Sequence, residues 1–338
     1  MNWIPGSSPI SFPGLGIEIN PPKGFGNSKL EFAFYGLIIA LGLLLCCIYG
    51  LRRGKEFGLT QDDILDGALI IIPFSIICAR LYYCIFYWEQ GGYGDNPIRL
   101  LYFWEGGLAI YGGVIGAAIG IVAYCLFKKI PITTCLDITF VTFPLGQAIG
   151  RWGNFFNREA FGTETESFLR MGLNLTESGD YSATTHYYHP TFLYESLWNL
   201  AGFVLLHFWS KKRKYDGQMF LGYALWYGLG RTVIEGLRTD SLYWGPFRVS
   251  QMLAALSCAV AVVLMMVQMF RTHPAERLYV NRVAARKAAE EAAAEEEWEF
   301  EESEEDEEDT EYEESEDEKD TEEDEEEADE TVTDTTEE

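Results

Sequence analysis

The chain has 338 residues, of which 52 are acidic and 25 basic, giving a formal net charge of −27 and a mean hydropathy of −0.03. These averages merge two different polymers: 32 of the acidic residues lie from Glu290 onward against one lysine, Lys319, so residues 1–289 hold 20 acidic and 24 basic side chains. A basic nucleic-acid surface is not indicated, so no nucleic acid is expected as a partner, and the acidity of the tail carries no information about the apolar body.

The first 29 residues lack the basic start and short apolar core of a secretory signal, so no cleavage is expected and 1–29 is read as an extracytoplasmic N-terminal segment. Apolar runs that cross a ~30 Å hydrocarbon core need ~20 residues. Seven are predicted, near 30–50, 64–87, 107–127, 132–155, 190–209, 216–237 and 249–270. The expected fold is therefore an all-α integral membrane protein with a seven-helix domain over 30–272. The polar link 156–189 is its only long one, read as a small outer-face cap. Residues 281–299 have the Ala and Glu content of a solvated helix. The low-complexity acid beyond them has too little apolar surface to offset ordering entropy, so 273–338 is expected to be a helix followed by a disordered tail.

Orientation follows the basic loops. The links after the first, third and fifth runs carry Arg52, Arg53, Lys55, Lys128, Lys129, Lys211, Lys212, Arg213 and Lys214. The positive-inside rule then places these loops in the cytoplasm, the N-terminus outside and the C-terminus inside. Trp88, Trp104 and Trp244 fall near the outer helix ends, as interfacial anchors do. All seven cysteines lie in or beside apolar stretches without a CxxC or Cys/His spacing, so neither a disulfide framework nor a zinc site is suggested. The glycines 112, 113, 116 and 120 suit close helix approach. They are no phosphate loop, since no strand precedes them and no Lys-Ser/Thr follows. His207 and His273 are read as incidental.

Charge inside the membrane needs a reason, because a mid-bilayer charge costs roughly 2.5–3.5 kcal/mol on insertion scales. Arg80, Arg151 and Arg231 all fall in the outer half of their runs, at a depth estimated from a rise of ~1.5 Å per residue. Tyr35, Glu105, Tyr111, His189, Tyr194 and Glu195 converge on the same level. Arg151, Asn154 and Arg158 follow i, i+3, i+7 and are expected to share a face, as are Tyr227, Arg231 and Glu235 at i, i+4, i+8. Guanidiniums aimed into an apolar chamber suit a phosphate held by bidentate, charge-assisted hydrogen bonds, with Asn154 and Asn157 as neutral donors. The implied ligand is an anionic phospholipid headgroup. Two plainer readings stand beside this one: interfacial arginines snorkel, and Arg231 with Glu235 is a structural pair. A transporter or flippase of anionic lipids uses intramembrane arginines equally well. Against it stand the absence of recognisable paired repeats and the placement of the polar residues at one face.

The segment Gly150–Gly162, GRWGNFFNREAFG, resembles the signature of prolipoprotein diacylglyceryl transferases, a G-R-x-G-N-F-x-N-x-E-x-x-G pattern. FYG at Phe34–Gly36, WEGGLAIYGG at Trp104–Gly113, HPTFLYES at His189–Ser196 and YGLGRTVIE at Tyr227–Glu235 agree in order. The resemblance covers about residues 30–270. It implies a bacterial, multi-pass cytoplasmic-membrane enzyme without a cofactor or metal. Such an enzyme transfers the sn-1,2-diacylglyceryl group of phosphatidylglycerol to the lipobox cysteine of a prolipoprotein and releases glycerol phosphate, the first step of lipoprotein maturation. It further implies that Arg151 and Arg231 hold the phosphate, while Asn154, Asn157, Glu159, Gly162, Tyr35, Tyr227 and Glu235 shape the headgroup site or hold those arginines; Arg80 is assigned to the same pocket by its depth alone. Many family members carry histidine where this chain has Tyr111, and a phenol with a reference pKa near 10 is a poor base at neutral pH. Tyr111 is therefore expected to position substrate, with the thiol activated by the arginine field or by His189.

Overall fold

The computed structural model describes residues 9–27, 30–102, 106–238, 243–244 and 247–298. Trp104, Glu105 and the acidic residues from 299 onward lie outside the described residues, as does the side chain of Trp244. Two compact units are distinguished, 1–281 and 282–338; of the second, 282–298 is helical.

The first unit is mostly helical. Among the described residues seven helices follow in order: α1 (Phe34–Arg53), α2 (Gln61–Phe86), α3 (Ile110–Lys128), α4 (Ile132–Asn157), α5 (Thr191–Ser210), α6 (Gln218–Ile234) and α7 (Val249–Met269). Each falls within a few residues of an apolar run. The largest offset is at α1, because β4 (Leu30–Ala33) is a strand paired antiparallel with β3 (Gly24–Asn27). Local chemistry explains the ends. Thr60 opens α2 with a reciprocal capping box, its hydroxyl accepting from Asp63 N and the Asp63 carboxylate accepting from Thr60 N. Lys129, at φ +57, closes α3 in the left-handed region.

Five of the helices are long and apolar enough to cross a membrane: Phe34–Phe57 (α1 with the 3-10 turn that follows it), α2, α3, α4 and α7. The other two fall short for visible reasons. α6 has 17 residues and spans about 25 Å, and α5 carries Glu195, Asn199 and His207 along its length. Large apolar side chains point outward all round the bundle, with Leu69 72%, Ile110 77%, Phe127 80% and Val233 71% exposed. Such a surface suits lipid rather than water.

Helix α4 is central and touches α1, α3, α5 and α6, while α2 pairs with α3 and α6 with α7. The α2–α3 pair is close-packed. A Cβ on Gly112 would come within 2.5 Å of Cys78 O, and one on Gly116 within 2.6 Å of Cys78 Cβ. Gly113 and Gly120 have ordinary room, so only half of that glycine stripe is sterically required. At the end of the bundle that carries the basic loops, Asp137 of α4 is fully buried and accepts from the N–H groups of Gly217, Met219 and Phe220. It thus caps α6 from another helix, satisfying donors the helix itself leaves open.

The cap at the other end contains a β-sheet that the sequence reading did not anticipate. Strands β1 (Ile10–Phe12), β2 (Ile17–Ile19), β5 (Met171–Leu175) and β6 (Tyr181–Tyr188) form an antiparallel sheet in the order β2-β1-β5-β6. The N-terminal segment and the 156–189 link therefore build one cap. Ile10, Leu173 and Tyr188 are fully buried there, and Phe155 of α4, Phe161 and Phe192 of α5 complete the cluster that seats the sheet on the bundle.

Candidate active site

The cap end of the bundle gathers charge around one carboxylate. Glu195 lies in the second turn of α5, near a helix N-terminus that favours negative charge. Its Oε2 is 2.6 Å from Arg151 Nη2 of α4 and 3.4 Å from Arg231 Nη1 of α6, and its Oε1 is 3.1 Å from Arg238 Nη1. Arg231 Nη2 also pairs with Glu235 at 2.7 Å, where a 3-10 turn continues α6. Arg248, just before α7, donates to the backbone carbonyl of Glu235. Among the described residues, three guanidiniums thus interlock with two carboxylates, and Arg248 joins them through the Glu235 backbone.

The accessible side of this cluster is cationic. The side chains of Arg151 and Arg231 are 21% and 16% exposed, while those of Glu195 and Glu235 are 5% and 2% exposed. A guanidinium has five N–H donors, and for each of these arginines the contacts above, with Arg151 to Asn154 Oδ1 at 3.4 Å, use two of three nitrogens. A phosphodiester laid against that face would meet both guanidiniums in surroundings of low dielectric.

Neutral and acidic partners order the rim. Asn154 and Asn157 both donate through Nδ2 to Glu159 Oε1, at 2.9 and 3.3 Å. Glu159 stands between Arg158 at φ +56 and Ala160 at φ +54, two non-glycine residues in the left-handed region. Such a conformation costs about 1 kcal/mol each and needs outside support. The Arg158 guanidinium supplies it by donating to Phe156 O, Asn20 Oδ1 and Pro21 O, and Thr191 Oγ1 donates to Ala160 O. Arg158 is 3% exposed, and its charge disfavours burial. The expectation that it shares a face with Arg151 is overturned: α4 ends at Asn157, and the left-handed turn swings Arg158 toward the N-terminal segment.

Gly162 has a steric role. Its N–H donates to His189 O at 2.9 Å, and a Cβ there would fall 2.7 Å from His189 Cβ and 2.9 Å from Leu237 O. His189 Nδ1 lies 3.3 Å from the Tyr194 hydroxyl, and burial lowers its pKa from 6.5, favouring the neutral imidazole. The ring of Tyr35 packs on Gly153 beside Arg151; a Cβ at Gly153 would meet it at 2.6 Å. Tyr227 stacks on Tyr223 along α6, with centroids 5.6 Å apart. The α5–α6 register is held by a reciprocal pair: Trp198 Nε1 donates to Trp226 O at 3.1 Å and Trp226 Nε1 to Trp198 O at 3.0 Å, with indoles stacked 4.3 Å apart. Each indole lies over the glycine four residues after its partner, Trp198 over Gly230 and Trp226 over Gly202.

Two expected site residues lie apart from the cluster. Arg80 is buried, and its guanidinium donates to the carbonyls of Arg99, Leu100, Gly106 and Gly107, so it binds the α2–α3 connection together instead of meeting Arg151. Tyr111, in the first turn of α3, is 48% exposed, with its ring 6.4 Å from that of Tyr82. Conversely, Glu195, which the sequence placed at this level without a role, and Arg238, which it did not single out, are central to the cluster. The spacing Arg231, Glu235, Arg238 (i, i+4, i+7) was a usable signal for Arg238. Among the described residues no group of three His, Cys, Asp or Glu is placed to hold a metal ion.

The fold is that of a mostly helical membrane protein with five helices long and apolar enough to span, and the cluster is an arginine–glutamate network at its cap end. The family model for prolipoprotein diacylglyceryl transferase matches residues 24–267. A phosphatidylglycerol--prolipoprotein diacylglyceryl transferase of Bacillus cytotoxicus is 41% identical over 251 residues, covering 74% of this chain and 92% of the relative. Proteins of the same name from Listeria welshimeri and Limosilactobacillus reuteri are 39% and 38% identical, each over 77% of this chain and 94% and 95% of their own lengths. The chain belongs to the prolipoprotein diacylglyceryl transferase family and is a transferase of lipoprotein biosynthesis, as its motifs implied.

Proposed function

We propose that this chain transfers the diacylglyceryl group of phosphatidylglycerol to the cysteine thiol of a prolipoprotein, using the Arg151–Arg231 face as its phosphate site. The observation that carries the reading is the accessible pair of guanidiniums backed by buried Glu195 and Glu235. In the reaction the thiol proton leaves to a base, and the sulfur attacks the glyceryl carbon bonded to the phosphate oxygen. The C–S bond forms as the C–O bond breaks, and the electron pair passes to the departing glycerol phosphate. Arg151 and Arg231 neutralise that growing charge, and fixed placement of carbon and thiol supplies the orientation. Glu195 holds both arginines and Glu235 holds Arg231, Asn154, Asn157 and Glu159 shape the headgroup rim, and Tyr35 and Tyr227 wall it. His189, kept neutral by burial, is the base, while Tyr111 positions substrate and Arg80 secures the loop beside it.

The reading places the chain in the bacterial cytoplasmic membrane with seven spans, the cap outside and the basic loops inside. The five long apolar helices, the two shorter ones packed among them and the lysine and arginine distribution support this arrangement. The test is incubation of purified protein with phosphatidylglycerol vesicles and a lipobox peptide. A diacylglyceryl mass increase on the peptide cysteine is expected. Lipid movement without any increase would replace the reading with lipid transport.

A further inference from the structure

A cavity of about 350 Å³ opens beside the arginine cluster at the cap end, walled by Lys23, by Asn157–Phe161 at the end of α4, and by Leu175 and Glu177–Gly179 around the β5–β6 turn. It shares its wall with the site, because Glu159 lines it and also accepts from Asn154 and Asn157. That wall is built in advance by the two left-handed residues and the buried Arg158 described above. The base is apolar, with buried Phe161 and Leu175. The rim is polar and of mixed sign, with Lys23, Glu159, Glu177 and Ser178.

Resting on the transferase reading above, we propose that this cavity receives the polar stretch of the acceptor polypeptide that immediately follows its reactive cysteine. A thiol held at the arginine cluster belongs to a chain that continues away from the bilayer, and at ~3.3–3.6 Å per extended residue a few residues span from the cluster past Glu159. The chemistry favours a peptide over the departing glycerol phosphate. The carboxylates of Glu159 and Glu177 repel a phosphate, whereas they and the Ser178 hydroxyl accept from backbone and side-chain N–H groups. The Arg158 guanidinium, the most buried cation of the wall, is already engaged with Asn20, Pro21 and Phe156. Glu177, Ser178 and Gly179 sit on an exposed turn, so the mouth accepts chains of varied sequence.

Steady-state transfer by the full-length protein in phosphatidylglycerol vesicles tests this with two peptides, one ending in an amide at the cysteine and one continuing for five polar residues. Ser178→Trp, which fills the mouth from an exposed turn, and Glu177→Lys are the variants. In the wild type the longer peptide has the lower KM. Ser178→Trp raises its KM about tenfold, corresponding to about 1.4 kcal/mol of binding. The same variant leaves the short peptide, the KM for phosphatidylglycerol and inhibition by added glycerol phosphate unchanged. Glu177→Lys acts in the same direction for longer peptides whose extension is basic. Equal kinetics on the long peptide, equal losses on both peptides, or a change confined to glycerol phosphate inhibition each overturn the assignment. A wild type that labels neither peptide overturns the transferase reading itself, and the occupant of the cavity with it.

Discussion

The two ends of the bundle bury charge for different purposes. At the basic-loop end, Asp137 is surrounded by three backbone donors from the start of α6. Nearby, the Arg53 guanidinium meets His207 Nδ1 at 2.8 Å, Ser210 Oγ at 3.0 Å and Glu56 at 2.6 Å, while the Tyr49 hydroxyl shares the same His207 nitrogen. Each contact ties one helix or loop to another. At the cap end three arginines converge on Glu195, and the arginine side chains are more exposed than the carboxylate they share. Burial of a polar group therefore does not mark a site by itself; the candidate site is the charged cluster that keeps an accessible face.

That contrast is broken or sharpened first by Arg231→Ala, which removes a donor at the developing phosphate charge and is expected to lower kcat by about 10²–10³. Circular dichroism and detergent-extracted yield stay normal, and Arg231→Lys does not restore the rate, since one ammonium cannot replace the planar fork. Asp137→Ala has the opposite signature. It orphans three buried N–H groups at roughly 1 kcal/mol each, so stability falls by about 3 kcal/mol while activity per folded molecule is kept. Thermal unfolding beside single-molecule-normalised turnover separates the two. Trp198→Phe keeps a ring but loses one hydrogen bond of about 1 kcal/mol in the α5–α6 pair. It is expected to lower kcat roughly fivefold with little change in the KM for lipid, if the register positions Glu195 against Arg231.

The pH profile follows from His189. Burial lowers its pKa, so the folded protein binds that proton more weakly than the unfolded chain, and the neutral imidazole persists below pH 6.5. Transfer is expected to hold steady as pH falls to 6.5 and to decline only below it, and His189→Gln removes that acid limb from the profile of kcat/KM. The same linkage makes the protonated form destabilising, so stability is lost as pH drops below the unfolded histidine value. The smallest effect is at Tyr111, exposed and away from the cluster. Tyr111→Phe stays within about twofold of wild type, and a large loss would return the hydroxyl to the chemistry.

The helices and the arginine-bearing segments were legible because periodicity and apolar length report what one helix presents to its surroundings. Arg231 with Glu235 is such a pair, one turn apart and in contact at 2.7 Å. What the sequence hid depends on pairing between distant segments. β1 is three residues long and pairs with a strand some 160 positions away, so no local pattern announced the cap sheet. Glu195 became central only when α4, α5 and α6 crossed at one level. Arg80 and Arg151 looked equivalent by depth, yet one meets backbone carbonyls and the other meets Glu195. Arg158 kept its helical phase on paper and lost it to a single left-handed residue.

The central claim is that the accessible guanidiniums at the cap end perform the transfer, whereas the buried charge at the basic-loop end holds the fold. It is tested most directly by mass spectrometry of one lipobox peptide incubated with phosphatidylglycerol vesicles and equal amounts of folded wild type, Arg231→Ala and Asp137→Ala. The account predicts a diacylglyceryl adduct on the cysteine with wild type and Asp137→Ala, and almost none with Arg231→Ala. An adduct of equal yield with Arg231→Ala, or its loss with folded Asp137→Ala, would contradict it.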